Sequence, residues 1–206
     1  MEDITTPREK ILKKVRSGLL NKFPTHFGDV ELETELYKFS ESDHAVAFAK
    51  HFTAMGGGFV YCHNAFDFHE NLIIWMEKRG IKFLLVSDPD LKREMQNLGL
   101  PLAESPQEHP GQTAALLASE ALMARNGGIV FSSSTTQRDL LNCVETVAVM
   151  GNLSRMADDM KHILVLLKNR YGEKLPSLIS FIQGPSSGQN AGVRKELILF
   201  LINDKA

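Results

Sequence analysis

A run of hydroxyl and amide side chains that ends in an arginine follows a short apolar segment in the middle of the chain. The apolar segment is Gly128–Phe131, and the polar run after it consists of Ser132, Ser133, Ser134, Thr135, Thr136, Gln137 and Arg138. Hydroxyl groups beside a guanidinium suit a carboxylate or a phosphate, because arginine can donate two parallel hydrogen bonds to such an anion. An exposed hydrophilic loop would have the same composition, so both interpretations stay open.

A second candidate segment follows another apolar stretch and consists of Gly184, Pro185, Ser186, Ser187 and Gly188. Glycine lets the backbone approach a ligand closely, and serine hydroxyls and backbone N–H groups suit an anion. A plain turn between two strands is the alternative. In open α/β sheets the loops at the carboxyl ends of strands hold ligands. We therefore expect the two polar segments to lie on the same side of the sheet and to bind a small anion.

Two further groups could carry chemistry. Glu145 precedes a predicted strand and is a weak candidate for a catalytic carboxylate, the alternative being a surface charge. His63 and His69, with Asp67 or Glu70, could bind a metal. The six-residue spacing does not put both imidazoles on one helix face, so capping and flanking a helix is the preferred interpretation. No metal site is predicted.

Several common kinds of site are not indicated by the sequence. The triple glycine at residues 56–58 precedes a predicted strand, whereas a dinucleotide fingerprint follows one. No nucleophile elbow or Ser/His/Asp arrangement stands out. Cys62 and Cys143 lack metal-binding spacing and are predicted to be buried, reduced thiols.

The composition is that of an ordinary globular protein. The chain has 206 residues, 43% of them hydrophobic, with a net charge of -2 and a pI of about 6.4. These values do not favour a nucleic-acid partner or an anionic membrane surface. The densest basic segment, Arg8–Lys22, is interpreted as the solvated face of a helix. With no apolar leader and no run long enough to insert into a membrane, a cytoplasmic location is the default expectation.

Short apolar strands alternate with helical patterns over most of the chain, and these elements must position the polar segments. This order predicts a three-layer α/β fold with a mainly parallel open sheet. Residues 1–55 are predicted to be an N-terminal helical appendage and residues 56–206 an α/β domain. The predicted elements are helices near 7–21, 42–55, 66–79, 88–97, 113–124 and 154–170, strands at 59–62, 82–86, 128–131, 146–150, 178–182 and 197–202, and a loop or linker at 24–41.

Several stretches of the chain match the sequence pattern of one known protein family. The opening helix Pro7–Leu12 and the strand Asn126–Val130 are similar to family patterns. The most specific match joins Tyr171–Ser177, which reads YGEKLPS, to Gly184–Ser186, which reads GPS. On these residues the chain resembles the LutC/YkgG (lactate utilisation, LUD) family. The resemblance implies a fold like that of NagB, RpiA and CoA transferases. It also implies a role in oxidising lactate to pyruvate alongside iron–sulfur partner proteins, without supplying the activity of this component.

The chain departs from the family pattern at several polar positions. Relatives usually continue after GPS with an acidic phrase and a histidine-containing segment, whereas here Ser187–Gly192 leads to the last strand. The proline and histidine that often precede the middle strand are absent from Val144–Ala148. Before the predicted strand at 128–131, the positions that are polar or acidic in relatives are Arg125 and Asn126. These differences indicate a branch whose chemistry has changed or been lost.

Three functions follow as hypotheses. The first is an accessory or ligand-binding LUD protein of organic-acid oxidation, which binds a small anion and has no intrinsic iron–sulfur or metal site. The second is a scaffold or interaction protein that has lost the ligand site. The third is an enzyme of the isomerase or CoA-transferase type, which would need a carboxylate that faces the polar segments.

Overall fold

The computed structural model describes residues 6–20, 43–134, 140, 144–185 and 196–204. The helices are α1 (Pro7–Leu20), α2 (His44–Ala54), α3 (Ala65–Arg79), α4 (Pro89–Asn97) and α5 (Met160–Tyr171). The strands are β1 (Gly58–Cys62), β2 (Phe83–Val86), β3 (Thr113–Ala118), β4 (Ala121–Met123), β5 (Gly128–Ser132), β6 (Thr146–Asn152), β7 (Met156–Ala157), β8 (Ile179–Gln183) and β9 (Glu196–Ile202). Among the described residues, none of the helices is long and apolar enough to cross a bilayer. The predicted loop at 24–41 lies outside the described residues.

The chain divides into two compact units, residues 1–38 and residues 39–206. Helix α1 belongs to the first unit, and α2 belongs to the second unit together with all the strands named above. The predicted boundary after residue 55 therefore differs from this division by one helix. Two phenylalanines of α2, Phe48 and Phe52, are fully buried in the core of the second unit.

Five strands form a parallel sheet in the order β1-β9-β6-β3-β2, here called sheet A. Parallel strands are covered on both faces and therefore read as nearly continuous apolar runs. Strand β9 follows this rule, since each residue of the segment 197–202 is buried. The predicted α/β class with a mainly parallel open sheet is confirmed.

Four strands form a second sheet in the order β7-β4-β5-β8, here called sheet B. Strands β4 and β5 are an antiparallel hairpin, and β8 pairs antiparallel with β5. The prediction of one helix over residues 113–124 is wrong, because this segment forms β3 and β4. Alanine and leucine favour helices, but every side chain of β3 is buried. A short buried strand has no periodicity that separates it from a buried helix.

The apolar side chains form three clusters that define the layers. Helices α3 and α4 cover one face of sheet A, where Phe68, Trp75 and Met95 contact Phe200 and its neighbours. Sheet B and α2 cover the other face. Helix α5 packs Ile163 and Leu167 on the outer face of sheet B. Sheet B therefore lies between sheet A and α5.

Two predicted helix starts are corrected by the structure. Asp43, and not Ser42, caps α2 by accepting hydrogen bonds from the backbone N–H groups of residues 45 and 46. Helix α5 begins at Met160 after the cap Asp159, and not at Ser154. Ser154 lies in a 3₁₀ turn that is followed directly by β7. Because β7 pairs with β4, the chain is extended there and cannot be helical.

Candidate functional site

A buried carboxylate lies where the chain leaves sheet A and enters sheet B. Glu120 follows β3, and its side chain is 0% exposed. Its Oε1 accepts a hydrogen bond from Ser132 Oγ at 2.6 Å and another from Tyr171 Oη at 2.6 Å. Its Oε2 accepts a hydrogen bond from Arg170 Nη1 at 2.7 Å. We call Glu120, Ser132, Arg170 and Tyr171 the Glu120 cluster.

Three elements bring these side chains together. The backbone N–H of Glu120 donates to the carbonyl of Val130 at 2.8 Å, which fixes the start of β4 against β5. Ser132 ends β5, two residues further along that strand. Arg170 and Tyr171 end α5, whose Ile163 and Leu167 face sheet B. Residues that are four and eight positions apart share a helix face, so the burial of 163 and 167 directs Tyr171 toward the same sheet.

The cluster compensates a charge that would otherwise be costly to bury. An unpaired carboxylate in the core would lose its hydration and gain no new interaction, which costs free energy. Buried charges are therefore paired and hydrogen-bonded. Arg170 supplies the opposite charge and stays 40% exposed, which keeps one side of the cluster in contact with solvent. Burial, followed by the hydrogen bond to Glu120, raises the pKa of the Tyr171 hydroxyl, so that group remains a proton donor at neutral pH.

The geometry suits the positioning of donors better than proton transfer. Both carboxylate oxygens of Glu120 already accept hydrogen bonds, and the side chain has no exposed surface. The bond to Glu120 uses one of the five N–H donors of the Arg170 guanidinium. The exposed part of this guanidinium could donate parallel hydrogen bonds to a second carboxylate or to a phosphate.

Part of the first predicted polar segment belongs to this cluster. Ser132 is buried and bonded to Glu120, and its Oγ also accepts a hydrogen bond from the backbone N–H of Ser134 at 3.2 Å. Ser133 and Ser134 are exposed, and the Ser133 hydroxyl lies 3.2 Å from the Ser177 hydroxyl. Gln137 and Arg138 lie outside the described residues.

The second predicted polar segment lies elsewhere. Strands β5 and β8 are antiparallel, with Ser132 opposite Ile179 and Gly128 opposite Gln183. Gly184 therefore follows the end of the β5–β8 pair that is remote from Ser132. The expectation that both segments lie on the same side of the sheet is wrong, because it assumed parallel strands. Ser186, Ser187 and Gly188 lie outside the described residues.

A packing contact explains the glycine that opens this second segment. Gly184 has a φ of +63°, and a Cβ built on it would lie 2.9 Å from the backbone oxygen of Met55 at the end of α2. A larger residue would therefore meet both a strained backbone and the helix end. Pro185, which follows it, lies beside Gly56. Gly184 and Pro185 therefore pack the end of β8 against the end of α2.

Glu145 lies far from the Glu120 cluster. It is exposed and precedes β6, and its carbonyl accepts a hydrogen bond from the backbone N–H of Glu196 at 3.0 Å. Because β6 and β3 are parallel neighbours, Glu145 lies at the amino edge of sheet A and Glu120 at the carboxyl edge. The two carboxylates therefore do not share a site.

The histidines near β1 have structural partners. The carboxylate of Asp67 accepts a hydrogen bond from the backbone N–H of His63, and the side chain of Asn64 caps α3. The Nε2 of His69 lies 2.6 Å from Glu94 Oε1 on α4. Within the described parts of the chain, no group of three His, Cys, Asp or Glu side chains is arranged to hold a metal.

Cys62 is a buried free thiol at the end of β1. Burial, and then the nearby charge of Asp67, raise the pKa of this thiol to about 11, although Asn71 opposes the shift. A thiol with so high a pKa is almost entirely protonated at neutral pH and is a poor nucleophile. Cys62 is thus a core residue, and Cys143 lies outside the described residues.

A separate cleft of about 560 Å³ lies away from the Glu120 cluster. It is lined mainly by apolar side chains of α2 and β1 together with Leu153, and Asp43 and Lys50 also contribute to its wall. Of the predicted anion-binding residues that the structure describes, none lines this cleft.

The sequence interpretation missed Glu120, Arg170 and Tyr171 as members of a site. Glu120 was assigned to the interior of a helix at residues 113–124. The available signal was a serine and a glutamate at residues 119 and 120 inside a run that is otherwise small and apolar, since charged residues are rarely buried unless paired. Nothing in the sequence indicated that the end of α5 would supply its partners.

Comparison with known proteins identifies the fold. No protein-family model and no curated protein matches the chain. A DUF162 family protein from Deinococcus radiodurans is similar in structure, with a TM-score of 0.54 and 10% identity over 80% of this chain and 99% of that one. The delta subunit of eIF2B from Chaetomium thermophilum aligns with a TM-score of only 0.32, at 16% identity over 96% of this chain and 66% of that one. At this level of identity, the likeness to the DUF162 protein shows the α/β fold alone.

Proposed function

We propose that this chain is a LUD-type protein that binds a small organic anion at the Glu120 cluster. The observation that carries the proposal is the half-exposed guanidinium of Arg170, which the buried carboxylate of Glu120 orients beside Ser132 and Tyr171. The resemblance to the LUD family supports it, because the most specific stretch begins at Tyr171 itself. The fold is similar to that of a DUF162 protein, and DUF162 is a family related to LUD domains.

In this proposal the protein is an accessory or ligand-binding component of the oxidation of lactate or a related organic acid to pyruvate. Its partners are iron–sulfur proteins, as the resemblance implies. The alternative of an isomerase or CoA-transferase type of enzyme requires a carboxylate that reaches a substrate. Glu120 contacts Ser132 at the start of the first polar segment, but both of its oxygens already accept hydrogen bonds. Ligand binding therefore has the better support.

Isothermal titration of the full chain with lactate, pyruvate, acetate, inorganic phosphate and CoA tests the proposal. We expect a small carboxylate to bind and Arg170→Gln to weaken that binding at least about tenfold, since a charge-assisted hydrogen bond is worth about 1.5–3 kcal/mol. Arg93→Gln is the matched control, because Arg93 forms an exposed pair with Asp90 on α4. An equal loss in both variants would contradict the site assignment.

The same titrations separate the alternatives. No heat with any anion, together with capture of an iron–sulfur partner from solution, would favour a scaffold that has lost its ligand site. Turnover of a CoA thioester or a sugar phosphate by the wild-type chain, and its loss in Glu120→Gln, would favour an enzyme.

A further inference from the structure

Helix α1 concentrates basic charge in a chain that is acidic elsewhere. Its basic side chains are Arg8, Lys10, Lys13, Lys14 and Arg16, and its acidic one is Glu9. These charges give residues 7–20 a formal charge of +4 in a chain whose total is -2. The remainder of the chain therefore carries -6. The near-neutral total hides a strongly cationic helix.

The apolar side of the same helix is exposed as well. Ile11, Leu12 and Val15 are 64%, 52% and 52% exposed. At 100° per residue these three side chains occupy about 100° of the helix circumference, and Lys10, Lys13 and Lys14 occupy a similar arc on the opposite side. A helix with a solvated basic face normally buries its apolar stripe. A solvated basic face, as predicted from the sequence, explains why the lysines are exposed. It does not explain why these three aliphatic side chains are exposed.

We propose that α1 adsorbs to an anionic phospholipid surface. A helix with basic side chains on one face and aliphatic side chains on the other lies in the plane of such a surface, with the apolar face at the boundary of the acyl chains. The long Lys and Arg side chains extend to the acidic headgroups around the helix, Arg8 from within the apolar arc, and each strengthens binding about fivefold. The 14 residues of α1 extend about 21 Å, less than the hydrocarbon thickness of a bilayer, so α1 lies on the surface and does not cross it.

A capping box between Thr6 and Glu9 stabilises the first turn of α1. The backbone N–H and hydroxyl of Thr6 both donate to Glu9 Oε2 at 3.0 Å. This capping box fixes the first turn and engages the acidic side chain of the helix locally. The remaining ionised side chains of α1 are all basic. An acidic groove on another protein could also contact such a helix, and the test below separates that case from a lipid surface.

Cosedimentation of the full chain with vesicles measures the adsorption. We expect at least about tenfold stronger binding to vesicles of phosphatidylcholine with phosphatidylglycerol than to phosphatidylcholine alone, because α1 carries four net positive charges. Binding should weaken as salt increases, since salt screens these charges. Equal binding to the two vesicle types, or no binding at low salt, would overturn the proposal.

Paired variants identify the helix and the kind of surface. Lys13→Glu with Lys14→Glu should abolish most vesicle binding, whereas the same charge change in Lys78→Glu with Lys82→Glu, at exposed positions of the second unit, should not. Ile11→Ser with Val15→Ser keeps the charge and has similar helix propensity, and it should weaken binding at least about tenfold through lost apolar burial. Unchanged vesicle binding by this last variant would show a purely ionic contact, as with an acidic protein, and would overturn the lipid assignment.

Discussion

Among the buried residues of the described ranges, Glu120 alone carries a formal charge. A carboxylate in that position depends on its hydrogen-bond partners, because its side chain has no surface exposed to water. Ser132, Arg170 and Tyr171 come from two different elements, so a single carboxylate links β5 to the end of α5. Removing the Glu120 carboxylate should therefore weaken the packing of α5 on sheet B as well as the binding of any ligand.

Replacing Glu120 with alanine should destabilise the fold by about 2 kcal/mol, because it leaves buried donors without an acceptor. The loss is smaller than for a fully buried ion pair, since Arg170 is 40% exposed and can be hydrated. Urea unfolding at neutral pH measures it. Glu77→Ala, at an exposed position of α3, is the control and should change stability by less than about 0.5 kcal/mol. Equal effects would show that the cluster contributes nothing specific.

The elements differ in how far the sequence determined them. Helix α3 was predictable because Asn64 caps it, Gly80 ends it in the left-handed conformation, and its apolar residues recur with helical spacing. These signals are local. Strands β3 and β4 were not predictable, because the same Ala/Leu composition suits a helix. Strand β3 is extended because it pairs with β2 and β6, and β4 is extended because it pairs with β5 and β7.

The start of α5 shows the same distinction. Ser154 and Asp159 are both good N-cap residues in the sequence. The structure uses Asp159, because Met156 and Ala157 pair with β4 and cannot be helical. The Glu120 cluster could not be predicted for a similar reason. Glu120 and Arg170 are 50 residues apart in the chain, and only the folded structure brings them together.

The Asp159 cap makes α5 sensitive to acid. The backbone N–H of His162 donates to Asp159 and is the main cause of the lowered pKa of this carboxyl, with burial opposing. Because the pKa is lower in the folded state, the stabilisation is present above the ordinary value of 3.8 and is lost as the pH falls through the folded value. Asp159→Ala should cost about 1 kcal/mol at neutral pH in urea unfolding.

Asp159→Asn is the matched control for this prediction. Asparagine caps helices about as well as aspartate, so most of the stability at neutral pH should remain. Its contribution should not change with pH near 3.8, because the amide does not titrate. A wild-type chain and an Asn variant that lose stability in parallel between pH 5 and pH 3 would contradict the role assigned to the carboxylate.

At the scale of the whole molecule, α2 joins the two sheets. Its rings Phe48 and Phe52 lie in the cluster between them, with ring centroids 5.4 Å apart. The end of α2 also approaches the β4–β5 turn so closely that a Cβ on Gly127 would lie 2.5 Å from the backbone nitrogen of Phe52. The sequence placed α2 in an appendage because it precedes the first strand, and chain order carries no information about this contact.

Two alanine substitutions compare this contact with backbone strain alone. Gly127 and Gly80 have nearly the same φ, +65° and +68°, but a Cβ on Gly80 meets nothing within 4 Å. Both variants should lose about 1 kcal/mol from the left-handed backbone. Gly127→Ala should lose about 1–3 kcal/mol more, because the backbone of α2 must move. Similar losses in thermal or urea unfolding would mean that α2 is not closely packed on the turn.

Truncation tests where the α/β unit begins. A chain of residues 39–206 keeps α2, so it should unfold cooperatively with a melting temperature within a few degrees of the full chain.

A chain of residues 56–206 lacks Phe48 and Phe52, which are both 0% exposed. Losing one buried phenylalanine side chain costs about 3–5 kcal/mol, and losing two approaches the entire stability of a typical domain, about 5–15 kcal/mol. We therefore expect the shorter chain to lack a cooperative thermal transition by circular dichroism and to aggregate in size-exclusion chromatography. If it folds as well as the longer chain, the boundary lies after residue 55, and α2 is an appendage despite its buried rings.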